Sequence, residues 1–376
     1  MTKIIPSVFF DGSYTVWDVF YTVNGKGCNF HCKNRKDVVY YPQKALLCKS
    51  FCFVPQTVIR FGGRLMKVIT LTLNPAFDVH CHVADFKAEH ENLATVTSRD
   101  AGGKGVNISA ALAANGVENL ALVVLGRENA ADFRKGLLAK GIPLREIEVE
   151  GRIRENITVH TDHAPETRIS FAGFSADASL LFRVEEALGG LLDSGDIVTL
   201  TGRIPDGIPL VAVKAFLRRL TERGVRIVID SKSFSLSDLV ECKPYLIKPN
   251  GEEIEEYLGK RVETLEHAAN AARNLHRLEI ENVMITLGAI GAVLSCEAGT
   301  FSVNAPKIDA RSTIGAGDST IAGFLAAISE GRTSSEALRL SVAYGSAACL
   351  REGTQAPDRE DVAHLYETCL VNSLDR

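Results

Sequence analysis

Four consecutive residues near the C-terminal end, Gly315-Ala316-Gly317-Asp318, join a nearly bare backbone to a carboxylate. After them Ile321, Phe324, Leu325 and Ile328 fall on one face of a helix, and Gly331 offers a stop. The glycines therefore sit where a helix begins. The first N–H groups of a helix have no partner within it and carry the positive end of its dipole. Small residues let an anion approach those donors. Such a start could cradle a phosphate, with Asp318 beside it to take a proton. The plain alternative is an ordinary helix start in which an acidic residue favours the first turn.

A second glycine-rich start, "DAGGKGVN" at 100–107, precedes an Ala-rich helical stretch. It has neither the spacing of a P-loop nor that of a dinucleotide fingerprint. Lys104 stands among its glycines and Asn107 follows one turn on. Bare backbone, a cation and an amide together suit a phosphorylated, hydroxylated ligand. A tight turn before a packed helix is again the plain alternative.

Short, apolar, β-branched runs at 67–73, 119–126, 196–202, 224–230, 244–249 and 281–288 read as strands. Helical periodicity occupies 106–115, 129–140, 209–223, 251–258, 264–278, 317–330, 335–350 and 359–369. This alternation predicts an α/β fold, a mostly parallel sheet covered on both faces. Ligands of such sheets bind at the carboxyl ends of the strands. Asn74, Asp78, Asp230, Lys248, Asn250 and Gly288 lie at or just past those ends. Two stretches break the alternation, about 86–101 and 152–173, the second reading as an antiparallel hairpin. A small β-sheet lid over the site is expected from them.

The 376 residues are 46% hydrophobic with a net charge of -4, enough for a sizeable core and unlike a nucleic-acid-binding chain. No apolar run approaches about 18 residues, and "MTKIIPSVFFDGSYTVWDVF" lacks a signal-peptide core, so a cytoplasmic protein is expected. The averages hide a break near Met66. Residues 1–65 hold nine basic and three acidic side chains, a net of +6; residues 66–376 hold 33 and 43, a net of -10. The first segment also carries 12 of the 26 aromatic residues and the only tryptophan, Trp17. Its Cys28, His31, Cys32, Cys48 and Cys52 could bind zinc, but both C-x3-C pairs depart from the usual close spacing. Residues 1–65 thus read as an N-terminal extension, either upstream of a natural start at Met66 or disordered. Gly62-Gly63 ahead of Met66 permits a ribosome-binding sequence there.

"GGKGVN" (102–107) together with "STIGAGDS" (312–319) resembles the paired signature of the ribokinase-like, PfkB-type carbohydrate kinases. "LTLNPAFD", "TGRIPDG", "IKPNGEE" and "ITLGAIGA" follow in the family's order, and the likeness runs from Met66 to about Thr368. The "TLNP" opening with a Lys inside "GGKG" is most similar to the phosphosugar branch, bacterial 1-phosphofructokinases above all. The resemblance implies a three-layer αβα sandwich with a mostly parallel central sheet and a small lid. It implies ATP-dependent phosphorylation of fructose 1-phosphate to fructose 1,6-bisphosphate, with tagatose 6-phosphate or fructose 6-phosphate as alternative acceptors. A sugar-phosphate-binding sensor is the non-enzymatic alternative, against which Asp318 is retained.

By the same resemblance, Gly315, Ala316 and Gly317 form an anion hole for the transferred phosphate and Asp318 is the base. Asp78, Gly103, Lys104, Asn107 and Arg154 meet the sugar and its phosphate. Lys248, Asn250, Thr286 and Gly288 line the ATP site with Gly315 and Gly317. Glu253 helps hold Mg2+ through water, unless Asn250 and Glu253 merely cap a helix. A monovalent cation and a homodimer paired through the lid are implied as well, with no nucleic-acid or membrane partner. The chain departs from the pattern at Leu93, where the branch's lid often carries Arg, and at Arg203, where relatives have Ser. Arg203 is expected to supplement the phosphate site in place of the lid arginine.

Overall fold

The computed structural model describes residues 66–163 and 166–375, and before them only the backbone of four strands. The chain divides into two compact units between Phe61 and Gly62. In the first, Thr2–Ile4, Asp18–Asn24, Gly27–Lys33 and Val38–Val39 pair in that order as an antiparallel sheet. The sequence shows no period there; the expectations about the extension and its cysteines fall outside the fully described residues.

The second unit carries strands β1 (Val68–Thr72), β2 (Ala76–His82), β3 (Thr95–Gly102), β4 (Leu120–Gly126), β5 (Leu144–Val149), β6 (Arg154–His160) and β7 (Thr167–Ser170). They continue as β8 (Ile197–Thr201), β9 (Arg226–Asp230), β10 (Leu246–Ile247), β11 (Asn282–Thr286), β12 (Gly291–Cys296), β13 (Gly299–Asn304) and β14 (Val371–Ser373). Its helices are α1 (Lys104–Ala114), α2 (Ala130–Ala139), α3 (Ser179–Leu188), α4 (Leu210–Glu222), α5 (Leu236–Cys242), α6 (Gly251–Leu258), α7 (Leu265–His276), α8 (Ala316–Ser329), α9 (Ser334–Cys349) and α10 (Arg359–Thr368).

Ten strands form the main sheet in the order β14-β13-β12-β11-β10-β9-β8-β1-β4-β5. The seven from β11 to β5 are parallel. The antiparallel strands β12, β13 and β14 extend one edge, an addition the strand pattern does not foresee. Successive residues of a strand point to opposite faces, and the core divides accordingly. Leu71, Leu200 and Ile229 pack with Val184, Phe216 and Ala272 of α3, α4 and α7. Val68, Ile197 and Val228 pack with Ile108, Phe324 and Leu338 of α1, α8 and α9. Each of the larger apolar side chains among these contributes about 1.5–3 kcal/mol, and the two clusters bind three layers, helix on sheet on helix.

A separate four-stranded sheet has the order β7-β6-β2-β3. The hairpin expected at 152–173 is β6 and β7, antiparallel. From 86–101 only the part from Thr95 is strand. The sequence segments omit β2, which pairs parallel to β6 and antiparallel to β3. "AFDVHCH" alternates correctly for a strand, yet it follows β1 so closely that it reads as a loop.

From β1 the chain winds outward through β4 and β5, then returns to β8 and winds the other way. This reversal opens a crevice beyond the carboxyl ends of β1 and β8. Helices α1 and α8 start there. At Gly323 α8 meets α9 backbone to backbone: a Cβ would lie 2.6 Å from Leu340 O and 2.8 Å from Ser341 Cα. Gly323→Ala is therefore expected to lower the unfolding free energy by about 1–3 kcal/mol, read as a lower denaturant midpoint at unchanged slope.

Candidate active site

Helix α8 begins at Gly315, whose φ of 77° is left-handed, a conformation that disfavours a Cβ. Gly315 offers no side-chain cap, so the first-turn N–H groups gain no side-chain acceptor. Lys248 brings a cation against them: a Cβ on Gly317 would sit 3.2 Å from its Nζ. Lys248 is itself buried, 4% exposed, just past β10.

Asp318, in the first turn, is buried and accepts a 2.9 Å hydrogen bond at Oδ2 from Nδ2 of Asn107 in α1. Burial pushes its carboxyl up to about 6, against the attraction of Lys104 and with the help of the negative Asp230. A carboxylate with this value is ionised at neutral pH yet basic enough to accept a proton. Lys104, the first residue of α1, forms an ion pair with Asp230 Oδ2 at 3.0 Å, and Lys248 stands 3.9 Å from the same oxygen. Burial disfavours the charge on Lys104, but Asp230 and Asp318 outweigh it and raise its pKa. Burial likewise opposes the charge on Asp230, and Lys248 and Lys104 more than reverse that. The ends of β9, β10, α1 and α8 thus bring four charged groups together, two of each sign.

The lid supplies the other half. Asp78 on β2 accepts at Oδ1 from Nδ2 of Asn156 on β6, at 3.0 Å. Burial raises the Asp78 carboxyl against that donation. Gly102 admits it, since any Cβ there would collide with Asp78 Oδ2. Gly103, with φ of 118°, turns the chain from β3 into α1. Arg154 opens β6 and donates to Phe171 O at 3.1 Å and Asn74 O at 3.5 Å. Burial and then the charge of Arg203 depress its pKa. Among the described residues, neither arginine lies within ion-pair distance of a carboxylate. The attraction of Asp78 offsets that depression only in part, so two neighbouring guanidinium groups could receive an anion here.

Buried polar atoms without partners mark the same crevice: Asn74 Oδ1, Asn107 Oδ1, Asn156 Oδ1 and Arg154 Nε. Such atoms are costly unless something satisfies them. Three acceptors and a donor fit a polyhydroxylated anion. Asn156 is absent from the sequence-derived residues. Its place two residues after Arg154, on the same face of an alternating strand, is the signal that could have found it.

Asn250 and Glu253 form a reciprocal cap on α6: Asn250 Oδ1 accepts from Glu253 N at 2.8 Å, and Glu253 Oε2 accepts from Asn250 N at 3.1 Å. This is the plain arrangement the spacing allows. Among the described residues no group of three metal-ligating side chains forms a cage. Buried Glu253 near Lys104 therefore fits a cation that keeps its waters and sits mainly on phosphate, as Mg2+ does. Thr286 N donates to Pro249 O at 3.1 Å and Thr286 bridges to Asn250, so these two nucleotide-site candidates adjoin. Gly288 follows with φ of 54° and open space where a Cβ would be.

Asp318 binds its proton more tightly in the folded chain than its ordinary value of 3.8 allows. Its ionisation therefore costs stability, increasingly as pH rises from about 4 to about 6, and fully above that. At pH 8, Asp318→Asn is expected to unfold at a higher temperature than the unmodified protein. Scanning calorimetry at pH 8 and pH 4.5, where the gain should shrink, checks the sign.

The pfkB family carbohydrate kinase profile matches residues 72–361. The 1-phosphofructokinase of Bacillus subtilis is 32% identical over 286 residues, 76% of this chain and 93% of that protein. That of Vibrio cholerae is 29% identical over 308 residues, 82% of this chain and 97% of that protein. Among solved structures, phosphofructokinase-2 of Escherichia coli in complex with fructose-6-phosphate superposes with a TM-score of 0.73 at 24% identity, covering 81% and 99% of the two chains. With its signature helix starts in the crevice of a ribokinase-like sheet, the chain belongs to the pfkB family of carbohydrate kinases.

Proposed function

We infer that this kinase transfers the γ-phosphate of ATP to fructose 1-phosphate, giving fructose 1,6-bisphosphate. The observation that carries the reading is Asp318, a buried carboxylate held by Asn107 at an uncapped helix start. In this reading Asp318 takes the proton of the sugar hydroxyl as its oxygen bonds to phosphorus and the bond to ADP breaks. The N–H groups of Ala316 and Gly317, with Lys248, stabilise charge on the moving phosphoryl group without reorganising. Asp78 and Asn107 orient hydroxyls, and Arg154 with Arg203 grips the phosphate already on the sugar. Glu253 and Asn250 would hold Mg2+ through water, and the ion would neutralise charge on the ATP phosphates. A monovalent cation joins this reading because phosphofructokinase-2 of E. coli has been seen in complex with potassium.

The names of the curated relatives favour fructose 1-phosphate. The fructose-6-phosphate complex of E. coli phosphofructokinase-2 supports a second acceptor. We also propose that two copies pair through their lids, whose outer residues Leu93, Val96, Ile169 and Phe171 are exposed. Among the described residues no helix is long and apolar enough to cross a membrane, and five cysteines are free thiols. The free thiols support a cytoplasmic setting.

ADP release with MgATP should be fastest on fructose 1-phosphate among fructose 1-phosphate, fructose 6-phosphate, tagatose 6-phosphate, fructose and ribose. Asp318→Asn should lower it by at least about 10²-fold. Faster turnover of another phosphosugar would replace the acceptor; equal turnover by the Asn variant would remove the base. For the unmodified enzyme kcat/KM should fall with unit slope as pH drops through about 6, where Asp318 gains its proton, and stay flat above. Arg203→Ala should raise KM for the sugar phosphate about tenfold or more with little change in kcat. An unchanged KM would take Arg203 out of the phosphate site.

A further inference from the structure

Lys104 and Asp318 lie in one buried cluster, and opposite charges in such surroundings attract strongly. Left alone, the flexible ammonium of Lys104 would settle on the base and hold its lone pairs. It does not: its 3.0 Å partner is Asp230. The Asp230 side chain is 5% exposed at the end of β9, and among the described residues it is the one carboxylate within ion-pair distance of both Lys104 and Lys248.

We propose that Asp230 is a positioning residue that draws Lys104 away from Asp318, leaving the base with its Asn107 hydrogen bond and no ion pair. This rests on the reading of Asp318 as the base. The geometry is specific. Lys104 opens α1 and Asp230 closes β9, both rigid ends, whereas a lysine stem has four rotatable carbons and keeps no fixed direction by itself. The groups facing Asp318 are Lys104 and Asn107 from α1, Asp230 from β9 and Lys248 from beyond β10. Asp230 in turn faces Lys248, Lys104 and Lys232, and Lys104 also faces Glu253. Removing the charge of Asp230 changes two things at Asp318 in the same direction. A negative neighbour disappears and an ammonium comes closer, so the base holds its proton less tightly.

The test is a double-mutant cycle of Asp230→Asn and Lys104→Met, with Asp318→Asn alongside, read as ADP release on fructose 1-phosphate. Asp230→Asn is expected to lower kcat by about 10²-fold, leave KM for the sugar phosphate within about threefold, and move the acid limb of kcat/KM to lower pH. In the Lys104→Met background Asp230→Asn should cost less than about threefold, because nothing remains to be drawn away. Additive losses would overturn the proposal. So would an acid limb that stays in place, or full recovery of Asp230→Asn at high Mg2+, which would make Asp230 a metal-site residue. If Asp230→Asn fails to fold, the comparison of Lys104→Met with the double variant decides alone, since that pair removes one charge of each sign. An unimpaired Asp318→Asn would instead refute the base itself, an outcome separate from additivity.

Discussion

Everything at this site depends on one constraint: a carboxylate must stay ionised while largely shielded from water. Asp318 meets it with a hydrogen bond from Asn107 and the dipole of α8, at the cost of a carboxyl pushed up to about 6. Full pairing with Lys104 would stabilise the charge further and spoil it as a base. The cluster is therefore neutral as a group and deliberately unequal within: Asp230 takes both lysines and Asp318 takes an amide. Buried charges arranged in this way add little to fold stability. Their value lies in preorganisation, because the dipoles and cations already point where charge develops.

The sheet topology explains why such a cluster can be assembled at all. Parallel strands end together on one side, and the reversal between β1 and β8 leaves a gap there. The charged residues come from chain positions more than two hundred apart, yet each sits within a residue or two of the end of a strand or the start of a helix. Rigid ends fix them more tightly than loops would. Backbone contact at Gly323 holds α8 against α9, so the start of α8 is seated by core packing.

Much of this was legible in the sequence. Six of the seven parallel strands and most of their helices follow from period and punctuation, whereas β5, the charged run "LREIEV", does not; the two glycine-rich starts stand out because glycine there gains nothing from side-chain burial. Part of what escaped depends on pairing between distant segments. Strand β2 reads as a loop because the signal that separates it from β1 is only the short "LNP" between them. The edge strands β12 and β13 form a local meander with β11, their period masked by small and polar residues, and only β14 reaches its partner from far along the chain. Asp230 shows its place at a strand end, but nothing in "VIDSK" reveals that Lys104 is its partner, and Asn156 meets Asp78 only once β6 lies beside β2.

The same dependence bears on acceptor choice. Fructofuranose is nearly symmetric end to end, so a site that holds phosphate at one side and presents a base at the other can turn either monophosphate into the same product. Discrimination must then come from how tightly the phosphate is held in relation to the ring. Arg154 is anchored through backbone carbonyls of residues 74 and 171, one beside β1 and one beside β7. It therefore reports the distance between lid and main sheet. Arg203 is exposed at the end of β8 and belongs to the main sheet alone. In the proposed reading, a phosphate gripped by both would tie lid to sheet at a fixed separation, and the ring hydroxyl that reaches Asp318 would be the one that this separation allows.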